Sequence, residues 1–178
     1  MGNGSRSLPI SFFMQKTLII GYGNPDRQDD GVAWHVLIAV ARSLGMPVPS
    51  SSDEGFDCLE TNPAFLFVLQ LTPELSETLT GFDRVCFIDA HTGAIPNDVN
   101  VEYLEPQYHS SPFTHHMTAQ SLIELSKTIY NHQCEALIVS VRGYEFGFSH
   151  SLSSHTSQLA EEATGKIITW LSQQSSDD

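Results

Sequence analysis

The sequence predicts an α/β domain: three layers, αβα, built on a twisted, mostly parallel sheet of about five strands. Two observations carry that expectation. Short all-apolar runs, the mark of strands covered on both faces, stand between stretches with helical periodicity. The length of 178 residues, 40% of them apolar, suits one domain with a sizeable core.

Residues 17–20 form a short apolar run that stops at Gly21. Residues 30–42 then read as a helix, because Val32, Val36 and Val40 recur at i+4 behind an acidic start. Residues 65–71 are a continuous apolar run between Pro63 and Pro73, and 73–79 suit a short helix with proline in its first turn. Residues 84–89 form another apolar strand, closed by a carboxylate. Val99, Val101 and Tyr103 alternate, as in an edge strand with one wet face. Residues 118–130 place Leu122, Leu125 and Ile129 on one helical face, and 136–141 make a further buried strand. The last helix spans about 154–172, with Leu159, Ala163, Ile167 and Leu171 at i+4 spacing. Crossovers between the parallel strands should be right-handed.

Composition narrows the function. Eight Lys and Arg against 21 Asp and Glu give a net charge of −13, with the basic residues scattered singly. Nucleic acid and anionic membrane surfaces both want clustered cations, so neither is an expected partner. Cys58, Cys86 and Cys134 are too few and too widely spaced for a disulfide framework or a thiolate zinc site. Their odd number points to a reducing, cytoplasmic setting. No apolar run nears the roughly 18 residues of a membrane span, and the start lacks a signal-peptide cleavage site. Residues 1–13, ahead of Met14, read as a flexible N-terminal extension, and 14–178 as a single α/β domain.

Ligands of open parallel sheets bind beyond the carboxyl ends of the strands. Three loops bring polar groups to that rim. The first holds Gly21, Gly23, Asn24, Asp29 and Asp30; the second Asp89, His91 and Gly93; the third His115 and His116, just before a helix. Strand–Gly-x-Gly–helix invites a dinucleotide reading, but the third glycine of that fingerprint is replaced by Asp26. Asp26, Asp29 and Asp30 would also repel a pyrophosphate. Gly21 and Gly23 read better as a tight turn with close backbone approach. In the acidic pair, one carboxylate can cap the helix while the other faces the cleft. Asp89 ends a buried strand, where a carboxylate is costly unless hydrogen-bonded, exposed or metal-bound. The His pair is either surface decoration or a ligand, and His91 is either a solvent-facing loop residue or a further donor. Asp30, Asp89 and His115 together offer O, O and N donors, a set that suits a borderline divalent ion such as Zn, Ni or Co.

These residues carry a resemblance. Gly21-Tyr22-Gly23-Asn24 with Asp29-Asp30-Gly31, then Phe87-Ile88-Asp89-Ala90, then His115 with Leu122-Ile123 seven and eight residues on, resemble the three motifs of the [NiFe]-hydrogenase maturation proteases. Leu69 to Leu75 and Val141 to Gly147 add to the likeness, which spans about 17–171. It implies a phosphorylase/hydrolase-like αβα fold and an endopeptidase that trims the C-terminal extension from the nickel-loaded large-subunit precursor of a [NiFe]-hydrogenase. It further implies that Asp30, Asp89 and His115 bind the nickel carried by that precursor and are the catalytic residues; other divalent ions could substitute. The spacing to Leu122-Ile123 favours His115 over His116. Ala33 stands where the family often has glycine, and Gly93 follows Asp89 by four residues where some members have five.

Two mechanisms stay open at this point: the metal polarises the scissile carbonyl or activates water, or Asp30 or Asp89 is the general base and nickel only positions the substrate. No cysteine is placed as a nucleophile. A precursor-binding chaperone that does not cut, and a nucleotide-binding regulatory domain, are the competing classes. A cytoplasmic monomer is expected, with the precursor docking near 69–75 and 105–117 and contacting Tyr108 or Phe113.

Overall fold

Four parallel strands form the centre of the sheet: β1 (Thr17–Tyr22), β3 (Ala64–Val68), β4 (Arg84–His91) and β6 (Glu135–Arg142). The structure, a computed structural model, describes residues 15–106 and 117–173. The expected extension at 1–13 lies outside them. A two-residue strand, β2 (Asp57–Cys58), adds antiparallel to β3 at one edge, and β5 (Val99–Tyr103) adds antiparallel to β6 at the other. The order is β2-β3-β1-β4-β6-β5, so the sheet has six strands rather than about five. The extra strand, β2, is too short and too polar to stand out as an apolar run.

Helices α1 (Val32–Ser43) and α4 (Ser154–Ser172) cover one face, and α2 (Leu75–Leu79) and α3 (Ala119–Tyr130) the other. The predicted i+4 stripe of α1, Val32, Val36 and Val40, is wholly buried against Ile19, Cys86 and Ile88. Leu159, Ala163 and Ile167 of α4 join the same cluster. On the opposite face Leu18, Ile20 and Phe87 pack with Leu79, Leu122 and Ile123. The buried stripe of α3 is Ala119, Leu122, Ile123 and Ser126. The predicted stripe through Leu125 and Ile129 is corrected: Leu125 is half-buried, and Ile129 is 58% exposed because the last turn of the helix is exposed on all sides.

Strand β4 carries a second feature, at its amino end. Arg84, 5% exposed, bonds Glu135 at 3.0 Å and the Trp170 carbonyl at 3.0 Å, and its guanidinium lies 3.9 Å over the Trp170 ring. This pins α4 to the sheet at the end opposite the candidate site.

The chain leaves β1 towards α1, on one face, and leaves β4 towards β5 and α3, on the other. Helices change face where the strand order changes direction, which gives the parallel crossovers a common hand. The crevice between the carboxyl ends of β1 and β4 is therefore the topological switch point, the place where open α/β sheets bind ligands.

Candidate active site

The loop after β1 is shaped by its glycines and by Asn24. A Cβ on Gly21 would stand 3.0 Å from the Ala33 carbonyl oxygen, so glycine lets the first turn of α1 approach the strand. Gly23 has φ +139°, and a side chain there would collide with the Asp30 carbonyl oxygen. The Asn24 side chain accepts from the Asp26 amide at 2.9 Å, closing a turn. A 3-10 turn, Gln28–Gly31, follows and delivers the two aspartates. The half-buried Asp30 takes the Asn24 N–H on its own carboxylate at 3.1 Å. A loop amide of the kind a phosphate would use is thus already engaged, which argues with Asp26 against the dinucleotide reading.

The neighbouring aspartates divide their work. Asp29 is wholly buried. Its carboxylate accepts from the amides of Tyr144, Glu145 and Ser153 at 2.8, 2.9 and 2.7 Å. The hydroxyls of Ser153 and Thr156 donate to it at 2.7 and 2.8 Å. Burial alone would raise this carboxyl; the Tyr144, Ser153 and Glu145 amides and the Ser153 hydroxyl outweigh it and hold Asp29 below the usual carboxylate range. The expected capping of α1 by one of the pair is not found: α1 has no side-chain cap, and Asp29 instead accepts from the amide and hydroxyl of Ser153, the residue that caps α4. Backbone bonds from Gln28 to Ser149 and from Asp29 to Glu145, at 2.8 and 3.0 Å, complete the seam between the acidic loop and residues 143–153. Asp30 is left free of that seam.

Asp89 is half-buried, on the face of β4 that also carries Phe87. The register pairs Gly21 with Ile88, which sets Tyr22 beside Asp89. Burial pushes the Asp89 carboxyl up to about 6; the Tyr22 hydroxyl and the Ala90 amide, at 2.7 Å, restrain the rise, and the charge of Asp30 adds to it. Burial, then the Asp89 charge, holds the Tyr22 phenol far above its ordinary value, so Tyr22 stays a proton donor to Asp89. Among the described residues, neither Asp30 nor Asp89 has an ion-pair partner. Two interacting carboxylates at the switch point, one of them strongly desolvated, resist being charged together.

Of the predicted site residues, the structure places Asp30 and Asp89 at one crevice, near enough for their charges to interact. His115 and His116 lie outside the described residues, as do Tyr108 and Phe113. Among the described residues, no group of three or more His, Cys, Asp and Glu side chains is placed to hold a metal ion. His91 is not a solvent-facing loop residue: β4 runs on to it, paired with Arg142, and it is 8% exposed. Burial pushes the Cys134 thiol up to about 11 and drives the wholly buried Cys86 thiol well above its usual value, so neither is a ready nucleophile. Tyr22 is the residue that sequence reasoning missed. It shares the strand face of Leu18 and Ile20, a two-residue period that was readable once β1 was known to neighbour β4.

No family model matches the chain, and no curated protein matches it. Solved structures do. The [NiFe] hydrogenase maturation protease HybD from Thermococcus kodakarensis matches with a TM-score of 0.57 at 16% identity, over 89% of this chain and 99% of that one. The hydrogenase maturating endopeptidase HybD from E. coli matches at 0.60 and 13%, over 88% and 91%. The hydrogenase 2 maturation peptidase from a Thaumarchaeota archaeon matches at 0.58 and 18%, over 90% and 100%. The chain has the fold of the [NiFe] hydrogenase maturation proteases. Within that maturation-protease fold, the Asp30 loop and Asp89 occupy the crevice between β1 and β4.

Proposed function

We propose that the protein is an endopeptidase that removes the C-terminal extension from the nickel-loaded large-subunit precursor of a [NiFe]-hydrogenase. One observation carries the reading: Asp30 and Asp89 stand at the switch point of a fold shared with such enzymes, near enough for their charges to interact. The nickel belongs to the substrate. Asp30, Asp89 and His115 would grip it and so bring the scissile peptide bond to rest beside the pair. A cation there relieves the repulsion between Asp30 and Asp89 and compensates the desolvation of Asp89.

Where Asp30 and His115 hold the nickel and Asp89 stays off it, a carboxyl near 6 is matched to general-base work at neutral pH. In that division of labour the precursor's nickel positions the peptide bond. Asp89 accepts a proton from water as the water adds to the carbonyl carbon; the C–N bond then breaks, and the departing amine recovers the proton. Holding the reactants together supplies much of the acceleration. The enzyme would work in the cytoplasm as a monomer, with the precursor as its partner. No helix among the described residues is long and apolar enough to cross a membrane.

The test is co-expression with the precursor. Asp89→Ala and His115→Ala should fold normally and leave the precursor untrimmed. Normal trimming by both variants would refute the site.

A further inference from the structure

His91 closes β4 two residues beyond Asp89, on the same face of the strand. It is 8% exposed, and its Nε2 atom is buried with no hydrogen-bond partner. Its other ring nitrogen is engaged: Nδ1 accepts from the Gly93 amide at 3.2 Å, across a turn in which Gly93 has φ +96°. An amide N–H can only donate, so Nδ1 carries the lone pair and Nε2 carries the hydrogen in the neutral ring. Two consequences follow. Nε2 offers no lone pair to a metal, which removes His91 as a further ligand. It is instead a buried N–H donor without an acceptor, a condition rare in folded proteins and unfavourable unless something supplies the acceptor.

We propose that the Nε2–H of His91 donates a hydrogen bond to a backbone carbonyl oxygen of the precursor segment lying beside Asp89. The inference rests on the endopeptidase reading above and deepens it by naming a residue that holds the substrate. The placement fits a peptide ligand. The donor lies about 7 Å further along the strand than Asp89, at 3.3 Å per residue, so it would meet the chain a residue or two from the bond being cut. A carbonyl is an acceptor that every peptide offers, and burial of the donor makes the bond a strong one. Gly143 donates its amide to the His91 carbonyl at 2.9 Å, and the pairing with Arg142 fixes the strand, so the ring is carried on a rigid element. The atom is closed off in the free protein, so the contact requires the ring or its surroundings to shift on docking.

A hydrogen bond made equally in the bound and transition states affects affinity rather than turnover. The experiment combines imidazole 15N NMR of the free protein with trimming kinetics on purified nickel-loaded precursor. The spectrum should show Nε2 protonated and Nδ1 bare. His91→Leu should raise KM roughly tenfold with kcat nearly unchanged, at little change in Tm, because it deletes the unsatisfied Nε2 donor and the acceptor of the Gly93 amide together. His91→Gln, which presents an N–H near the position of Nε2, should recover part of the loss. The inference is overturned by a protonated Nδ1, by an unchanged KM in a folded His91→Leu, or by loss of activity that merely follows loss of stability in both variants. If wild type itself trims nothing, the endopeptidase reading fails and this inference falls with it; if wild type trims and the variants match it, only the role of His91 fails.

Discussion

Replacing Asp29 with alanine should cost far more stability than replacing Asp30, although the two residues adjoin. Asp29 is wholly buried and accepts five hydrogen bonds, three of them from backbone amides that have been drawn together around it. Alanine would leave those amides facing a void. The Thr156 hydroxyl has a second acceptor in the Arg142 carbonyl at 3.1 Å, and exposed Tyr144 and Glu145 let water reach part of the gap. At about 1–3 kcal/mol for each uncompensated donor, the net loss is about 3–5 kcal/mol. For a domain of this size that lowers Tm by roughly 6–20 °C. Asp30→Ala gives up one bond at 3.1 Å from a half-buried position, worth about 1 kcal/mol, while abolishing trimming. The assay is thermal and urea unfolding followed by circular dichroism, across pH. Asp29 is held below its ordinary value of 3.8 in the folded chain, so its stabilisation is whole well above that pH and is lost as pH falls through the folded value. The gap between wild type and Asp29→Ala should therefore narrow in acid. Equal losses for the two variants, or a gap that widens in acid, would refute the division of labour.

Other variants separate fold from chemistry. Tyr22→Phe removes the hydroxyl that donates to Asp89 and should slow trimming about tenfold at nearly unchanged Tm, measured by single-turnover cleavage. Arg84→Ala, at the far end of β4, should destabilise by about 2–3 kcal/mol in urea titration, a partly exposed Glu135 tempering the loss, and leave the trimming rate of the folded enzyme alone. Gly23→Ala should both destabilise and inactivate, because a Cβ at φ +139° drives into the Asp30 carbonyl; wild-type trimming by that variant would contradict the proposed loop geometry.

Much of this architecture was readable as local pattern. Helix α4 falls where the i+4 run of Leu159, Ala163 and Ile167 put it, and the wholly buried valines of α1 follow from their spacing. The rim positions of Asp30 and Asp89 were legible because the loop after β1 and the end of β4 both reach the carboxyl edge of such a sheet. What escaped depends on strand order and on contacts between distant segments. The partners of Asp29 lie 115–127 residues away, at the turn after β6 and the start of α4, and no periodicity announces them. Tyr22 gains its meaning only from the β1–β4 register. His91 reads as a loop residue next to Thr92 and Gly93, yet pairing with β6 extends the strand through it. The face of α3 was misjudged because its last turn reads as apolar in sequence but is exposed.

The central claim is that the paired carboxylates serve peptide-bond cleavage in a nickel-bearing partner. The most direct measurement is intact-mass spectrometry of a purified, nickel-loaded large-subunit precursor after incubation with this protein alone. The expected result is a single loss equal to the C-terminal extension, absent for precursor without nickel and absent with Asp89→Ala. A precursor that binds the protein and keeps its full mass would contradict the claim and leave a chaperone in its place.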